Sequence, residues 1–205
     1  MKQILILSAI AFGLSFASAC SSATETTTAN KTATTNTTAA NTAATNTANA
    51  NKADETPAAI KAVFPDAQSF TTQHKDVPAD KIATIEKDTS SKVPDKDHHS
   101  YLAFSTAGGA RKQIGAATVV KADGRDVIIV YDNKDGSPVI KEIRAEGVPA
   151  PFLAQFAGKG HDDDLLLGAD IKASGANEAQ AKAITEAVRV DVLTMQALYG
   201  AEHKH

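Results

Sequence analysis

The chain has 205 residues, enough for one domain with some to spare. Its 21 Lys and Arg nearly balance its 24 Asp and Glu, for a formal net charge of −3, which argues against a nucleic-acid binder. Its single cysteine excludes an internal disulfide and any multi-cysteine zinc or iron–sulfur site.

The first predicted element is an export signal over residues 1–19. Lys2 precedes an apolar run that reaches Phe16, and small residues then lead to Cys20. This order is typical of a signal peptide, and the run is too short to span a membrane. An ordinary secretory signal with an unmodified Cys20 is one alternative.

The same segment resembles a bacterial lipoprotein signal, in which the cysteine at the cleavage point accepts lipid. The resemblance implies an exported chain that is acylated at Cys20 and anchored to the cell envelope, facing the periplasm. In such lipoproteins, acidic residues after the cysteine are the usual signal for retention in the inner membrane. Ser21 is not acidic, so this position favours the outer membrane.

Residues 20–55 are predicted to be a disordered tether. Positions 21–50 hold 12 Thr, 9 Ala and 5 Asn, with no large apolar side chain. Such a low-complexity segment cannot bury enough surface to offset its conformational entropy. It either gives the domain reach along the membrane or is a simple spacer.

Residues 56–200 are predicted to fold as one α+β domain, followed by a His/Lys tail over 201–205. We expect a small antiparallel meander packed with helices and a long C-terminal helix. The predicted helices cover 57–64 and 79–88, with a helical turn over 152–156. The predicted strands cover 101–104, 114–120, 127–131 and 139–143.

The C-terminal helix has the clearest local signals. Asn177 can cap its start, Gln180 follows at the capping-box spacing, and Gly200 marks its end. Apolar residues recur at helical spacing and predict a core-packing face; they are Ile184, Val188, Val192 and Met195.

A turn of small residues precedes this helix. Its backbone amides lie at a helix N-terminus, where N–H groups lack partners within the helix and commonly bind phosphate. The turn consists of Ser174, Gly175 and Ala176. Many helices begin in this way, so the turn alone does not establish anion binding.

Three blocks in order carry a family resemblance, namely 152–159, 165–171 and 174–176, before an Ala/Val-rich helix. They resemble the FMN-binding domain of the peripheral subunits of the Na⁺-pumping quinone reductase and Rnf electron-transport complexes. The resemblance extends over 58–198. It implies an extracytoplasmic flavoprotein that transfers electrons through FMN, rather than a stand-alone catalyst, and it predicts no catalytic residue.

The resemblance also implies the cofactor-binding residues. It assigns the FMN phosphate to the turn, with Lys172 or Lys159 adding positive charge. It also includes Glu146, because Arg144-x-Glu146-Gly147 resembles the family's Arg-Glu-Thr-x-Gly segment. The turn residues are Ser174, Gly175, Ala176 and Asn177. The family joins FMN covalently to a threonine hydroxyl, and Asn177 stands at that position. Because an amide cannot form this phosphoester, we expect non-covalent FMN.

Other interpretations stay open. The domain can be a flavin-free interaction module that docks on an envelope redox complex or another surface partner. Histidines near carboxylates suggest a metal-binding surface protein as a third possibility. These are His98 and His99 after Asp95 and Asp97, His161 before Asp162, and the terminal His203 and His205. Because solvated charge is ordinary in polar loops, no metal site is predicted. Phe152 or Phe156 can pack on a flavin ring, although a core position is favoured.

Overall fold

The computed structural model describes residues 55–201. Several predicted segments lie outside the described residues. They are the signal peptide over 1–19, the predicted lipidation site Cys20, nearly all of the tether, and the tail after Ala201. None of the described helices has the length and apolar character needed to cross a membrane.

The described chain is an α+β fold, as predicted. Five strands form one antiparallel sheet in chain order, β1 (Ser69–Asp76), β2 (Asp97–Ser105), β3 (Lys112–Ala122), β4 (Arg125–Lys134) and β5 (Ser137–Ala145). The helices are α1 (Ala58–Val63), α2 (Ala79–Thr89), α3 (Ala150–Leu153) and α4 (Glu178–Tyr199), and a 3₁₀ turn covers Ala154–Phe156.

Strand β1 was not predicted, because its residues carry little strand signal. Phe70 is its one large apolar residue, and the remaining positions are polar or charged. The strand lies at the sheet edge and pairs with β2 along its whole length. Backbone hydrogen bonds to β2, rather than its own side chains, therefore define it.

Tight turns join the last three strands of the meander. Asp123–Gly124 connects β3 to β4 and Asp135–Gly136 connects β4 to β5, and all four residues have positive φ. Positive φ at both central positions is the conformation that matches the twist of a hairpin. These local signals set the register of three consecutive strands.

Apolar side chains cover both faces of the sheet. One face packs against α4 and α3, and the other packs against α1. Strand β4 contributes to both faces, since Val127 and Ile129 belong to the first cluster and Ile128 and Val130 to the second. The continuous apolar run of this strand is therefore explained by burial on two sides.

Helix α4 follows its predicted pattern. Asn177 Oδ1 accepts a hydrogen bond of 2.8 Å from the Gln180 amide, and Gly200 follows the last helical residue. The predicted apolar stripe is buried against the sheet, and α2 packs alongside α4.

Candidate functional site

The turn before α4 has a backbone conformation typical of anion-binding sites. Ser174 and Gly175 have φ values of 44° and 92°, so consecutive residues lie in the left-handed region. Within residues 55–201, no acceptor takes the amide N–H of Ser174, Gly175 or Asn177. These donors lie at the positive end of a long helix, where a phosphate group would be stabilised.

Gln155 connects this turn to the Phe152–Lys159 block. Its amide nitrogen donates to the Lys172 carbonyl oxygen at 2.8 Å and to Ser174 Oγ at 3.0 Å. Its amide oxygen accepts from the Lys172 backbone N–H at 2.8 Å. Because Ser174 Oγ accepts here, its own O–H remains able to donate to a ligand.

The other predicted cofactor residues are only partly brought to this turn. The Lys172 ammonium donates to the Gly168 carbonyl oxygen, which holds it over its own loop. Lys159 Nζ lies 3.4 Å from Asp163 Oδ1, in an ion pair that no turn residue shares. The Glu146 carbonyl oxygen accepts a hydrogen bond of 2.9 Å from Arg125 Nη1 at the start of β4.

Glu146 nevertheless belongs to a loop that approaches the turn in space. A side chain on Gly175 would meet Pro149 at 3.7 Å, and Pro149 follows Glu146 within the same loop. The residues that adjoin one another are therefore Gln155, Lys172, Ser174 and Gly175.

Phe152 and Phe156 are core residues, as favoured from the sequence. Both are fully buried, and their rings meet edge to face with centroids 5.4 Å apart. Such an aromatic pair anchors the segment that carries Gln155. Neither ring is exposed to stack on a ligand.

Two cavities lie away from the turn. A cavity of about 870 Å³ is bordered by Tyr131, Met195 and Tyr199. At a rise of about 1.5 Å per residue, Met195 lies roughly 25 Å along α4 from its N-terminus. A second cavity of about 630 Å³ lies between α4 and the strands near His98 and Asp191. Neither of these two cavities is lined by Ser174, Gly175 or Asn177.

A buried polar network lies beside the second cavity. Asp191 Oδ2 accepts from Thr118 Oγ1 at 2.6 Å and from the Tyr131 hydroxyl at 2.7 Å, and Asp191 Oδ1 pairs with His98 Nε2 at 3.0 Å. Burial raises the pKa of Tyr131 well above its ordinary value, and the negative charge of Asp191 adds to this effect. His98 Nδ1 is buried without a hydrogen-bond partner among the described residues.

This network was missed in the sequence, although a signal for it existed. Asp191 lies between Val188 and Met195 at the spacing of the buried stripe of α4. A carboxylate on an apolar helix face requires partners, because a buried charge without hydrogen bonds is costly. Its partners come from β2, β3 and β4, which no local pattern identifies.

The histidines named in the sequence separate into different surroundings. His98 and His99 lie on opposite faces of β2, as neighbours in a strand do, and His98 joins the buried network. His161 Nε2 lies 3.1 Å from Asp162 Oδ1, and its side chain is mostly buried. His203 and His205 lie outside the described residues.

Comparison of the chain with protein-family models finds no match, and comparisons with curated proteins and with solved structures find none either.

Proposed function

We propose that the chain is an exported lipoprotein whose folded domain binds FMN non-covalently and transfers electrons outside the cytoplasm. The observation that carries this proposal is the Gln155 contact with Lys172 and Ser174. This contact connects two of the sequence blocks that carry the FMN resemblance, 152–159 and 174–176, and it lies at the start of α4.

The residues present suit the phosphate end of FMN. The amides of Ser174, Gly175 and Asn177 supply donors at the positive end of α4, and the Ser174 hydroxyl adds another. Gln155 holds the turn in this form through two hydrogen bonds to the Lys172 backbone. Its amide nitrogen donates to the carbonyl oxygen, and its amide oxygen accepts from the N–H. The bound FMN would supply the redox chemistry, and the protein would supply position and electrostatics.

Attachment through Asn177 is not expected. Its amide oxygen caps α4 by accepting from the Gln180 amide, and it has no hydroxyl to form a phosphoester. The proposed complex is therefore reversible. Acid precipitation of the flavin-loaded protein should release yellow colour into the supernatant.

The test is a titration of the full mature chain with FMN, followed by visible absorption and flavin fluorescence. Ser174→Asp puts a negative charge on the seat, and aspartate tolerates the positive φ there. We expect this variant to bind FMN at least about tenfold more weakly, because like charges repel at short range. Thr106→Asp, which adds the same charge in the exposed β2–β3 loop, is the matched control.

Each outcome has a consequence. Equal weakening by both aspartate variants would contradict phosphate binding at the turn. Colour retained in the acid pellet would overturn the non-covalent assignment. A protein from its native host that neither carries nor binds FMN would overturn the electron-transfer proposal.

A second candidate is the flavin-free interaction module, docking on an envelope redox complex. It is favoured because two predicted cofactor-binding side chains already form hydrogen bonds within the domain. Asn177 accepts from the Gln180 amide, and Lys172 donates to the Gly168 carbonyl oxygen. Cross-linking in intact cells, followed by mass spectrometry, tests it. A captured redox complex together with absent FMN binding would support this candidate over the first.

The proposed anchoring is tested separately. Cys20→Ala should move the exported chain from the membrane fraction to the soluble periplasmic fraction, because acyl chains would no longer hold it. Ser21→Ala is the control and should stay with the membrane. A Cys20→Ala chain that remains membrane-bound would contradict lipid anchoring at this residue.

A further inference from the structure

Two histidines and one aspartate lie close together where β1 ends and β2 begins. His74 and His99 are directly opposite each other in the strand register, and their ring centroids are 4.0 Å apart. Asp97 Oδ2 lies 3.2 Å from His74 Nδ1 and 3.0 Å from His99 Nε2. One donor atom from each residue lies within 4.8 Å of the other two.

Strand geometry explains why these three side chains converge. Asp97 precedes His99 by two positions in β2, so both side chains lie on the same face of the sheet. The cross-strand pairing then adds His74 to that face. His98 points to the opposite face, toward Asp191 in α4, and takes no part.

A second carboxylate adjoins the cluster. Asp76 is the direct cross-strand partner of Asp97, so two carboxylates face each other at the end of the strand pair. Like charges in this arrangement are destabilising. A bound cation between Asp97 and the imidazoles would offset that repulsion.

We propose that His74, Asp97 and His99 form a binding site for one divalent transition-metal ion of the Zn²⁺ type. Imidazole nitrogen with one carboxylate oxygen is a donor set suited to Zn²⁺, Cu²⁺ or Ni²⁺ rather than to Mg²⁺ or Ca²⁺. Three protein ligands leave a fourth position of a tetrahedral zinc ion to water or another molecule. This site is independent of the proposed flavin seat.

The side chains can adjust to an ion without rebuilding the fold. Their exposed fractions are 40% for His74, 38% for Asp97 and 45% for His99, so solvent and ions reach all three. Small rotations of exposed imidazoles bring the nitrogens to the roughly 2.0–2.1 Å expected around zinc.

The test is calorimetric titration of the full mature chain with Zn²⁺ in the presence of millimolar Mg²⁺, paired with Co²⁺ absorption as a report on the ligands. We expect one Zn²⁺ per chain at this site and a higher melting temperature when zinc is present. The double variant His74→Gln/His99→Gln should lose this binding. Asp97→Asn should weaken it at least about tenfold, since a neutral amide replaces the anionic ligand.

Control variants separate this site from the other histidines. His161→Gln, and a joint His203→Gln/His205→Gln variant, should leave the zinc stoichiometry and affinity unchanged. Circular dichroism of each variant verifies that the sheet is retained. Zinc binding that survives His74→Gln/His99→Gln, that disappears with the tail histidines, or that is absent from the unaltered chain would overturn the proposal.

Discussion

Tyr131 in β4 donates a hydrogen bond of 2.7 Å to Asp191 in α4, and this bond ties the centre of the sheet to the longest helix. Thr118 donates to the same carboxylate oxygen from β3, and His98 pairs with the other oxygen from β2. Three strands therefore converge on one side chain of α4. The orientation of α4 on the sheet depends on this carboxylate as well as on apolar packing.

Removing the carboxylate should destabilise the domain strongly. Asp191→Ala leaves the buried polar groups of Thr118, Tyr131 and His98 without their acceptor, and we expect a loss of about 3 kcal/mol or more in the free energy of unfolding. Urea denaturation measures it. Asp66→Ala, at an exposed acid, is the control and should change stability by less than about 0.5 kcal/mol.

The two partners of Asp191 Oδ2 should be energetically coupled. Thr118→Val and Tyr131→Phe each remove one donor from that oxygen. We expect each to cost about 1.5–3 kcal/mol, and the double variant to differ from their sum. Strict additivity in a double-mutant cycle would contradict a shared network.

Stability should decline on the alkaline side. The pKa of Tyr131 is raised in the folded state by burial and by Asp191, whereas an unfolded chain ionises tyrosine near about pH 10. Its contribution is therefore complete below about pH 10 and is lost as the pH rises toward the folded-state pKa. Urea denaturation from pH 8 to 11 measures this decline.

Tyrosine variants identify the source of that decline. Tyr131→Phe should flatten the alkaline limb more than Tyr199→Phe, since burial raises the pKa of Tyr199 as well but that side chain is less buried. Absorbance near 295 nm follows tyrosinate directly. Three tyrosines that all titrate near pH 10 in the folded protein would contradict the assignment.

Gly115 in β3 should tolerate no side chain. A Cβ atom there would lie 2.6 Å from Phe64 Cε1, closer than carbon atoms can approach. Gly115→Ala should cost about 1–3 kcal/mol through overpacking. Thermal unfolding measures the cost, and adding Phe64→Leu to Gly115→Ala should cost less than the sum of the two single changes.

Gly108→Ala supplies the matched control. Nothing lies within 4 Å of a Cβ built on Gly108, so this change should alter stability by less than about 0.5 kcal/mol. Equal losses at Gly108 and Gly115 would show that the ring of Phe64 does not limit the space beside Gly115.

The cap of α4 should be separable from any ligand role. Asn177→Ala removes the acceptor for the Gln180 amide and should cost about 1 kcal/mol, measured by urea denaturation. Asn177→Ser should retain most of the stability, because serine also caps helices well. A stability loss from Asn177→Ser as large as that from Asn177→Ala would contradict capping as the role of this side chain.

Most of the secondary structure was predictable because its signals are local. The cap at Asn177, the buried stripe of α4 and the two Asp–Gly turns each depend on neighbouring residues alone. Strand β1 escaped prediction because its stability comes from hydrogen bonds to β2, and its own residues are mainly polar. An edge strand of this composition cannot be distinguished from a loop by periodicity.

The candidate sites divide in the same way. The Ser174–Asn177 turn was identified from adjacent residues, whereas the Gln155 contact that supports it required the folded chain. His74 carried no sequence signal, since its relation to Asp97 and His99 is a matter of strand register. Asp191 was visible as an acid within an apolar stripe, but its partners lie in three different strands.

The sequence by itself determined the α+β class, the presence of most helices and of four of the five strands, and the turn at the start of α4. Short-range capping, turn conformation and alternation between apolar and polar residues are sufficient for these features. Only the tertiary structure decided which distant side chains meet. Cross-strand register and the packing of α4 on the sheet bring together residues that are remote along the chain, and both are set by burial of the whole core.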